Sequence, residues 1–171
     1  MTYAEFTGDH QKVIGSTDLE LLRTQFAADF VTRPEFIAKY QDAIMAETFV
    51  DALLQGMLAD AQVDLSSHRA ALITTYNSAL DLNHSRSAVL QAVAERTEFK
   101  TAVYNASFVL MEYFGYLQRD LDQKGFDFWV NVLNNREPGN DRGMVCSFTT
   151  SAEYQRRFSP VVVHTNAECG R

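Results

Sequence analysis

A short pattern of apolar residues and glycine occurs twice in this sequence at one spacing. Phe49-Val50 recurs as Phe108-Val109, and Gly56 recurs as Gly115, in each case 59 positions further along. A constant spacing of this kind indicates that a chain is built from copies of one supersecondary unit. We therefore predict that the chain contains two pseudo-repeats.

A shorter block occurs three times, at residues 30–36, 93–99 and 148–154. Each copy starts with an apolar residue and ends with Glu followed by an aromatic residue. We interpret the block as a corner between two helices, because Glu in a first helical turn suits the positive end of the helix dipole. Two copies contain a capping box, Thr32–Glu35 and Thr150–Glu153, whereas the middle copy has Glu95 instead of the hydroxyl. The middle block is therefore either a smoother corner or part of one longer helix.

Apolar residues three or four positions apart predict helices along most of the chain. Thr17–Glu20 has the form of a capping box and predicts the start of one helix. Further helices are predicted around these apolar residues: Phe36, Phe49, Leu72, Val89, Phe99, Phe108, Phe128 and Val145. Only Val161–Val163 has the composition of a strand. The prediction is an all-α fold, a compact helical array of about eight to ten helices.

The composition is typical of a packed globular protein. Of 171 residues, 46% are apolar and 22% are charged, and no run of Gly, Ser or Pro interrupts the chain. Chains of this length commonly fold as one domain. We therefore predict a single domain, residues 1–171, with these parts: a degenerate first repeat at 47–104, a second repeat at 106–158 and a C-terminal tail at 159–171.

The net charge restricts the kinds of partner that the chain can bind. A net charge of −7 and a pI near 5.0 argue against nucleic acid, because phosphate contacts need a basic surface. The longest apolar runs are far shorter than the roughly 20 residues of a membrane-spanning helix, so we predict no membrane span. The first residues lack the segments of a signal peptide, and we expect any export signal to lie upstream of them.

Between about residues 95 and 158 the sequence carries a characteristic series of elements. An aromatic-rich helix at residues 108–117 is followed by the turn Arg119-Asp120, by a helix start with Gly125 and Trp129, and by the corner at residues 148–154. This series resembles a bacterial family known as domain of unknown function 4214. The segment before residue 95 is similar to a degenerate copy of it.

The sequence departs from the family pattern at two places. The turn after Arg119 lacks the usual proline, and the first repeat has Ala70-Ala71 where the second has Phe128-Trp129. The resemblance implies an all-helical module of an exported or surface bacterial protein, similar to phycobilisome linker domains, and it implies no enzymatic activity. An extracellular or cell-surface location is therefore expected.

One segment begins like a calcium-binding loop but lacks two of its ligands. Asp120, Asp122 and Gly125 fit the start of such a loop, whereas Lys124 and Asn131 stand where further oxygen ligands, the last a bidentate carboxylate, are needed. We interpret Asp122 as the N-cap of the following helix. The four histidines lack metal-ligand spacing, and neither a nucleophile elbow nor a phosphate loop occurs. We predict no catalytic residue, no metal and no cofactor.

Tyr113, Tyr116 and Trp129 are candidate binding aromatics. Together with neighbouring aromatic residues they are able to line a groove for sugar or peptide, but their helical spacing also fits burial in a core, which is the interpretation that we prefer. We predict that Trp129 lies in the core and that Gly125 lies in the first turn of its helix.

Cys146 and Cys169 permit one disulfide. A bridge would fasten the C-terminal tail, where Val161–Val163 is the main apolar run, and the export implied by the resemblance would let the bridge persist. The alternative is a buried free Cys146 and an exposed free Cys169.

The sequence therefore predicts a non-enzymatic interaction or anchoring module that engages an unidentified protein or glycan partner at the bacterial surface. One alternative is an enzyme with a site in a helical cleft, which carboxylates in a deep cleft would indicate. Another is a helical linker that assembles other subunits, which a large exposed apolar patch would indicate.

Overall fold

The computed structural model describes residues 1–14 and 17–169. Within these residues the chain forms ten α-helices and no β-strand. The helices are α1 (Tyr3–Val13), α2 (Leu19–Phe30), α3 (Pro34–Tyr40), α4 (Ala46–Ala61), α5 (Arg69–Asn77), α6 (Leu82–Ala94), α7 (Thr97–Glu112), α8 (Gln123–Asn131), α9 (Asp141–Thr149) and α10 (Ala152–Gln155). The predicted all-α fold and the predicted number of helices are confirmed.

Four shorter helical turns accompany the α-helices. Ser66–His68 and Asn166–Glu168 are 3₁₀ turns, whereas Tyr113–Leu117 and Val132–Arg136 are π-helical turns that continue α7 and α8. The strand-like run Val161–Val163 has no regular structure. A lone extended segment is not stable without a strand to pair with, and the described residues contain no strand.

The chain divides into two compact units, with one boundary before Val13, the last residue of α1, and the other within α7. The central unit contains residues 13–103. The terminal unit contains residues 1–12 together with the chain from residue 104 onwards. The prediction of one domain with repeats at residues 47–104 and 106–158 stays a prediction.

The core of the central unit forms around an apolar stripe on α4, the helix predicted around Phe49. The buried residues of this stripe are Phe49, Val50, Leu53 and Met57. The ring of Phe49 lies 5.2 Å from the ring of Tyr40 and 5.6 Å from that of Tyr76, measured between centroids. Leu58, which continues the stripe in sequence, is exposed.

Arg86 of α6 is buried in the central unit, although no ion pair to it occurs within the described residues. Its Nη2 donates to the carbonyl oxygens of Tyr40 at 2.6 Å and Ala43 at 3.0 Å. Tyr40 ends α3, where carbonyl groups lack intrahelical partners and a positive charge is favourable. Arg86 therefore joins α6 to the end of α3.

The terminal unit has a separate core, formed by α7, its π-helical turn, α8 with its π-helical turn, and α9. Its buried apolar residues are Val109, Tyr113, Phe114, Leu117, Leu133, Met144 and Phe148. Helix α1 belongs to this unit because the ring of Phe6 stacks on that of Phe114, with centroids 4.9 Å apart. The backbone N–H of Tyr3 also donates to Asp120 Oδ1.

All three copies of the short block lie between two helices, as predicted. The middle copy separates α6 from α7, so the interpretation as one longer helix is wrong. The capping boxes are also wrong, because Asp18 caps α2, Ser151 caps α10 and α3 has no side-chain cap. The hydroxyl of Thr32 donates instead to the carbonyl oxygen of Asp29 in the preceding helix, and that of Thr150 is shared between the carbonyl oxygen of Cys146 and the amide oxygen of Asn166.

Candidate functional site

The C-terminal tail of the terminal unit is held against α9. The structure joins Cys146 of α9 to Cys169 by a disulfide, and Thr150 Oγ1 donates to Asn166 Oδ1 at 2.8 Å. The buried side chain of Gln155 provides a third connection, because its Oε1 accepts from the N–H of Val163 at 2.9 Å. We call the tail segment from residue 163 to residue 169, with these three connections, the clasp.

Two adjoining cavities lie between the clasp, α8 and α9, and we call them together the groove. Their volumes are about 300 Å³ and about 230 Å³, and they share Trp129, Ser147 and Asn166. The larger cavity is also lined by Phe128, Val132, Arg136, Glu137, Asn140, Gly143, Met144 and Cys169. The larger cavity is thus formed by α8, its π-helical turn, the connection to α9 and α9 itself on one side, and by the clasp on the other.

Two aromatic side chains form the floor of the groove. Trp129 is half-buried, with its ring centroid 5.7 Å from that of Phe148, and Phe128 is 49% exposed. The indole N–H of Trp129 has no acceptor among the described residues and is open to solvent. The prediction that Trp129 lies in the core is therefore wrong in part, because only the side of the ring against Phe148 packs on the core. Gly125 lies in the first turn of α8, as predicted.

Polar side chains form the rim of the groove. The guanidinium of Arg136 lies 5.9 Å from the ring centroid of Phe128 and has no ion pair or hydrogen bond within the described residues. Glu137 accepts a hydrogen bond from Asn140, whose Oδ1 caps α9 by accepting from Gly143 N–H. Asn166 uses only its amide oxygen toward Thr150, so its amide N–H groups have no acceptor in the described chain. The rim therefore offers several donors and one carboxylate.

The other two candidate aromatics lie in different surroundings. Tyr113 borders the smaller cavity but is buried, and its hydroxyl donates to Asp122 Oδ2 at 3.3 Å. Burial, followed by the nearby negative charge of Asp122, raises the pKa of Tyr113 to about 12. Tyr116 does not border either cavity and packs edge-on against Tyr154, with centroids 5.8 Å apart. The structure therefore brings Tyr113 and Trp129 together and leaves Tyr116 apart.

The segment that begins like a calcium loop is used for helix capping. Asp122 caps α8, as predicted, and the hydrogen bond from the backbone N–H of Gly125 lowers the pKa of Asp122. Asp120 accepts from the N–H of Tyr3. No group of three or more potential metal ligands occurs in residues 1–14 and 17–169. The expectation of no metal and no cofactor stays a prediction.

Sequence reasoning missed a pair of carboxylates in the terminal unit. Glu112 Oε2 and Asp141 Oδ1 are buried without a hydrogen-bond partner, and Asp141 Oδ2 accepts from the hydroxyl of Tyr104 at 3.2 Å. Burial and the charge of Asp141 raise the pKa of Glu112. Neither carboxylate borders either cavity of the groove. The two residues are far apart in the sequence, and no local motif joins them.

The fold and the groove define an all-helical unit with a clasped surface groove. Residues 100–158 match the family model described as Domain of unknown function (DUF4214), which confirms the family resemblance. The match includes the aromatic floor of the groove, whereas the clasp lies beyond its last residue. No curated protein and no solved structure matches the chain significantly. None of the described helices has the length and apolar character needed to cross a bilayer.

Proposed function

We propose that this chain is a non-enzymatic binding module of an exported bacterial protein, and that its terminal unit holds the partner in the groove. The observation that carries the proposal is the combination of Phe128 and Trp129 with unpaired polar groups in one cavity. Ligand sites are usually concave and largely apolar, with a few placed polar groups. The groove has this composition.

The disulfide supports both the site and the location. Cys169 lines the groove and is bonded covalently to α9, so the wall that the clasp forms is fixed before any partner arrives. A wall fixed in advance reduces the entropy that binding must overcome. Disulfides persist in oxidising compartments and are rare in the bacterial cytosol, which is consistent with export.

One observation favours an enzyme as a second candidate. Glu112 is a buried carboxylate whose pKa is raised by burial and then by the charge of Asp141, and groups with shifted pKa values cluster at catalytic sites. A catalytic pair must reach its substrate, however, and neither residue borders the groove. The third candidate, a linker that assembles other subunits, has some support from the exposed Phe158, Val161 and Val163.

The test is co-sedimentation of the purified chain with insoluble envelope material from the bacterium that encodes it. We expect saturable binding of the wild type, strong loss for Phe128→Ser, and no loss for Leu80→Ser. Leu80 is a matched control because it is a fully exposed apolar residue of the central unit. A Glu112→Gln variant should bind as the wild type does. Absence of binding, or equal binding by the Phe128→Ser variant, would contradict the proposal.

A further inference from the structure

We infer that the groove takes a neutral glycan chain, with one pyranose ring on the Phe128 and Trp129 floor and a neighbouring ring in the adjoining cavity. This inference rests on the proposed function and adds the chemical class of its ligand. It depends on the shape and the aromatic floor of the groove, on its unpaired donors and its carboxylate, and on the charge of its rim.

The shape of the groove fits an extended ligand of small units. The larger cavity, about 300 Å³, lies at the lower limit of the ~300–1,000 Å³ of small-molecule sites. The smaller cavity shares Trp129, Ser147 and Asn166 with it, so the two cavities adjoin at these residues. Two adjoining cavities of this size fit two linked rings, one in each cavity.

The aromatic floor fits a ring with an apolar face. The face of an aromatic ring carries partial negative charge, which attracts weakly positive C–H groups. A pyranose presents such C–H groups on its ring faces and hydroxyls around its edge. The rings of Phe128 and Trp129 stand at 78° to each other, so a pyranose stacked on one of them meets the edge of the other, and its hydroxyls face the rim.

The unpaired polar groups of the groove fit hydroxyls. The indole N–H of Trp129, the amide N–H groups of Asn166 and the guanidinium of Arg136 have no acceptor in the described chain, and Glu137 has only Asn140 as a donor. A hydroxyl both donates and accepts, so a ring of hydroxyls satisfies both kinds of group. A ligand of acceptors alone would give Glu137 no donor besides Asn140.

The charges favour a neutral sugar over an acidic one. Arg136 and Glu137 supply one charge of each sign to the larger cavity. Glu153, at the smaller cavity, is already paired with Arg119, with Nε 2.6 Å from Oε1. The groove therefore has no surplus of positive charge, and the chain carries a net charge of −7, which repels acidic polymers.

The chain contains its own reporter for the test, because Trp129 is its only tryptophan. Tryptophan fluorescence of the oxidised protein would be titrated with glucose, mannose and N-acetylglucosamine oligosaccharides, and with galacturonate oligosaccharides as the acidic set. We expect at least one neutral oligosaccharide to change the emission with a saturable isotherm, and the galacturonate set to bind much more weakly.

The variant Asn166→Asp retains the acceptor for Thr150 but removes the free donor. It should weaken neutral-sugar binding about tenfold, the loss of roughly one hydrogen bond. Asn83→Asp, an exposed asparagine of the central unit, should bind as the wild type does. Tighter binding of galacturonate, or no response to any neutral probe, would overturn the inference. If the neutral-sugar test fails but envelope binding that depends on Phe128 is observed, the proposed function stands with another ligand. If envelope binding is absent as well, the proposed function and the glycan inference both fail.

Discussion

The side-chain amide of Gln155 binds His164 through both backbone groups of that residue. Nε2 donates to the carbonyl oxygen of His164 at 2.8 Å, and Oε1 accepts from its N–H at 2.9 Å. A side chain thus makes the pair of hydrogen bonds that a neighbouring strand would make. The tail is fixed in an extended form although it is not part of a sheet.

Replacement of Gln155 by Glu should loosen the clasp. The amide also donates to the carbonyl oxygen of Thr150 at 2.6 Å, so a carboxylate at this buried position would face two carbonyl oxygens that have lost their donor. We expect a loss of about 2–3 kcal/mol in the free energy of unfolding, measured with urea at neutral pH. Gln55→Glu, at an exposed position of α4, should change it by less than about 0.5 kcal/mol. Similar values for the two variants would show that the hydrogen bonds of Gln155 contribute little to stability.

The disulfide should contribute to stability independently of Gln155. The bridge joins residues 23 positions apart, and the chain-entropy model gives about 3 kcal/mol for a loop of this size. The double variant Cys146→Ser, Cys169→Ser is expected to lose this amount in chemical denaturation. Reductant should lower the wild type to the same stability and leave the double variant unchanged. Two free thiols in protein made under oxidising conditions would refute the bridge.

The sequence predicted the helices well because their signal is local. Phe49, Leu53 and Met57 repeat at helical spacing, and all three are buried on one side of α4. For the tail, the sequence predicted the bridge between Cys146 and Cys169 but not the contacts of Gln155. Val161–Val163, the main apolar run of the tail, is exposed, and Gln155 holds the tail through polar contacts that no sequence pattern shows.

Local sequence patterns could not predict the groove, for a similar reason. Helical spacing places Trp129 on the inner side of α8, but spacing does not show where the core ends. The ring packs on Phe148 on one side, while the other side borders a cavity closed by Asn166 and Cys169.

Arg86 is a polar residue whose burial the sequence does not indicate. Its neighbours Ser85 and Ser87 are polar as well and suggest exposure, yet all three residues are buried. The groove and the burial of Arg86 both depend on residues far away in the sequence.

Trp129→Ala should be less destabilising than the loss of a fully buried aromatic residue. Phe148 is 5% exposed, and its replacement by Ala should cost about 3–5 kcal/mol. Trp129 packs on the core with only part of its ring, so we expect about 2 kcal/mol for Trp129→Ala in urea denaturation. A cost equal to that of Phe148→Ala would mean that the ring is fully enclosed, and the groove would then lose its floor.

The stability of the chain should depend on the ionisation of Glu112. Burial and then the charge of Asp141 raise the pKa of Glu112 above its ordinary value of 4.5, so the folded protein favours the protonated carboxyl. The stability that comes from a protonated Glu112 is fully present below the pKa that Glu112 has in the unfolded chain, and it is lost as the pH rises through the raised pKa of the folded chain. Glu112→Gln cannot ionise, and we expect its melting temperature to exceed that of the wild type at pH 8, with a difference that shrinks toward pH 4. A constant difference between wild type and Glu112→Gln across this range would rule out a raised pKa at Glu112.

Glu95 gives the opposite case, because a hydrogen bond from Lys100 lowers its pKa. Glu95→Gln should therefore be less stable than the wild type at neutral pH, and the difference in melting temperature should vanish in acid.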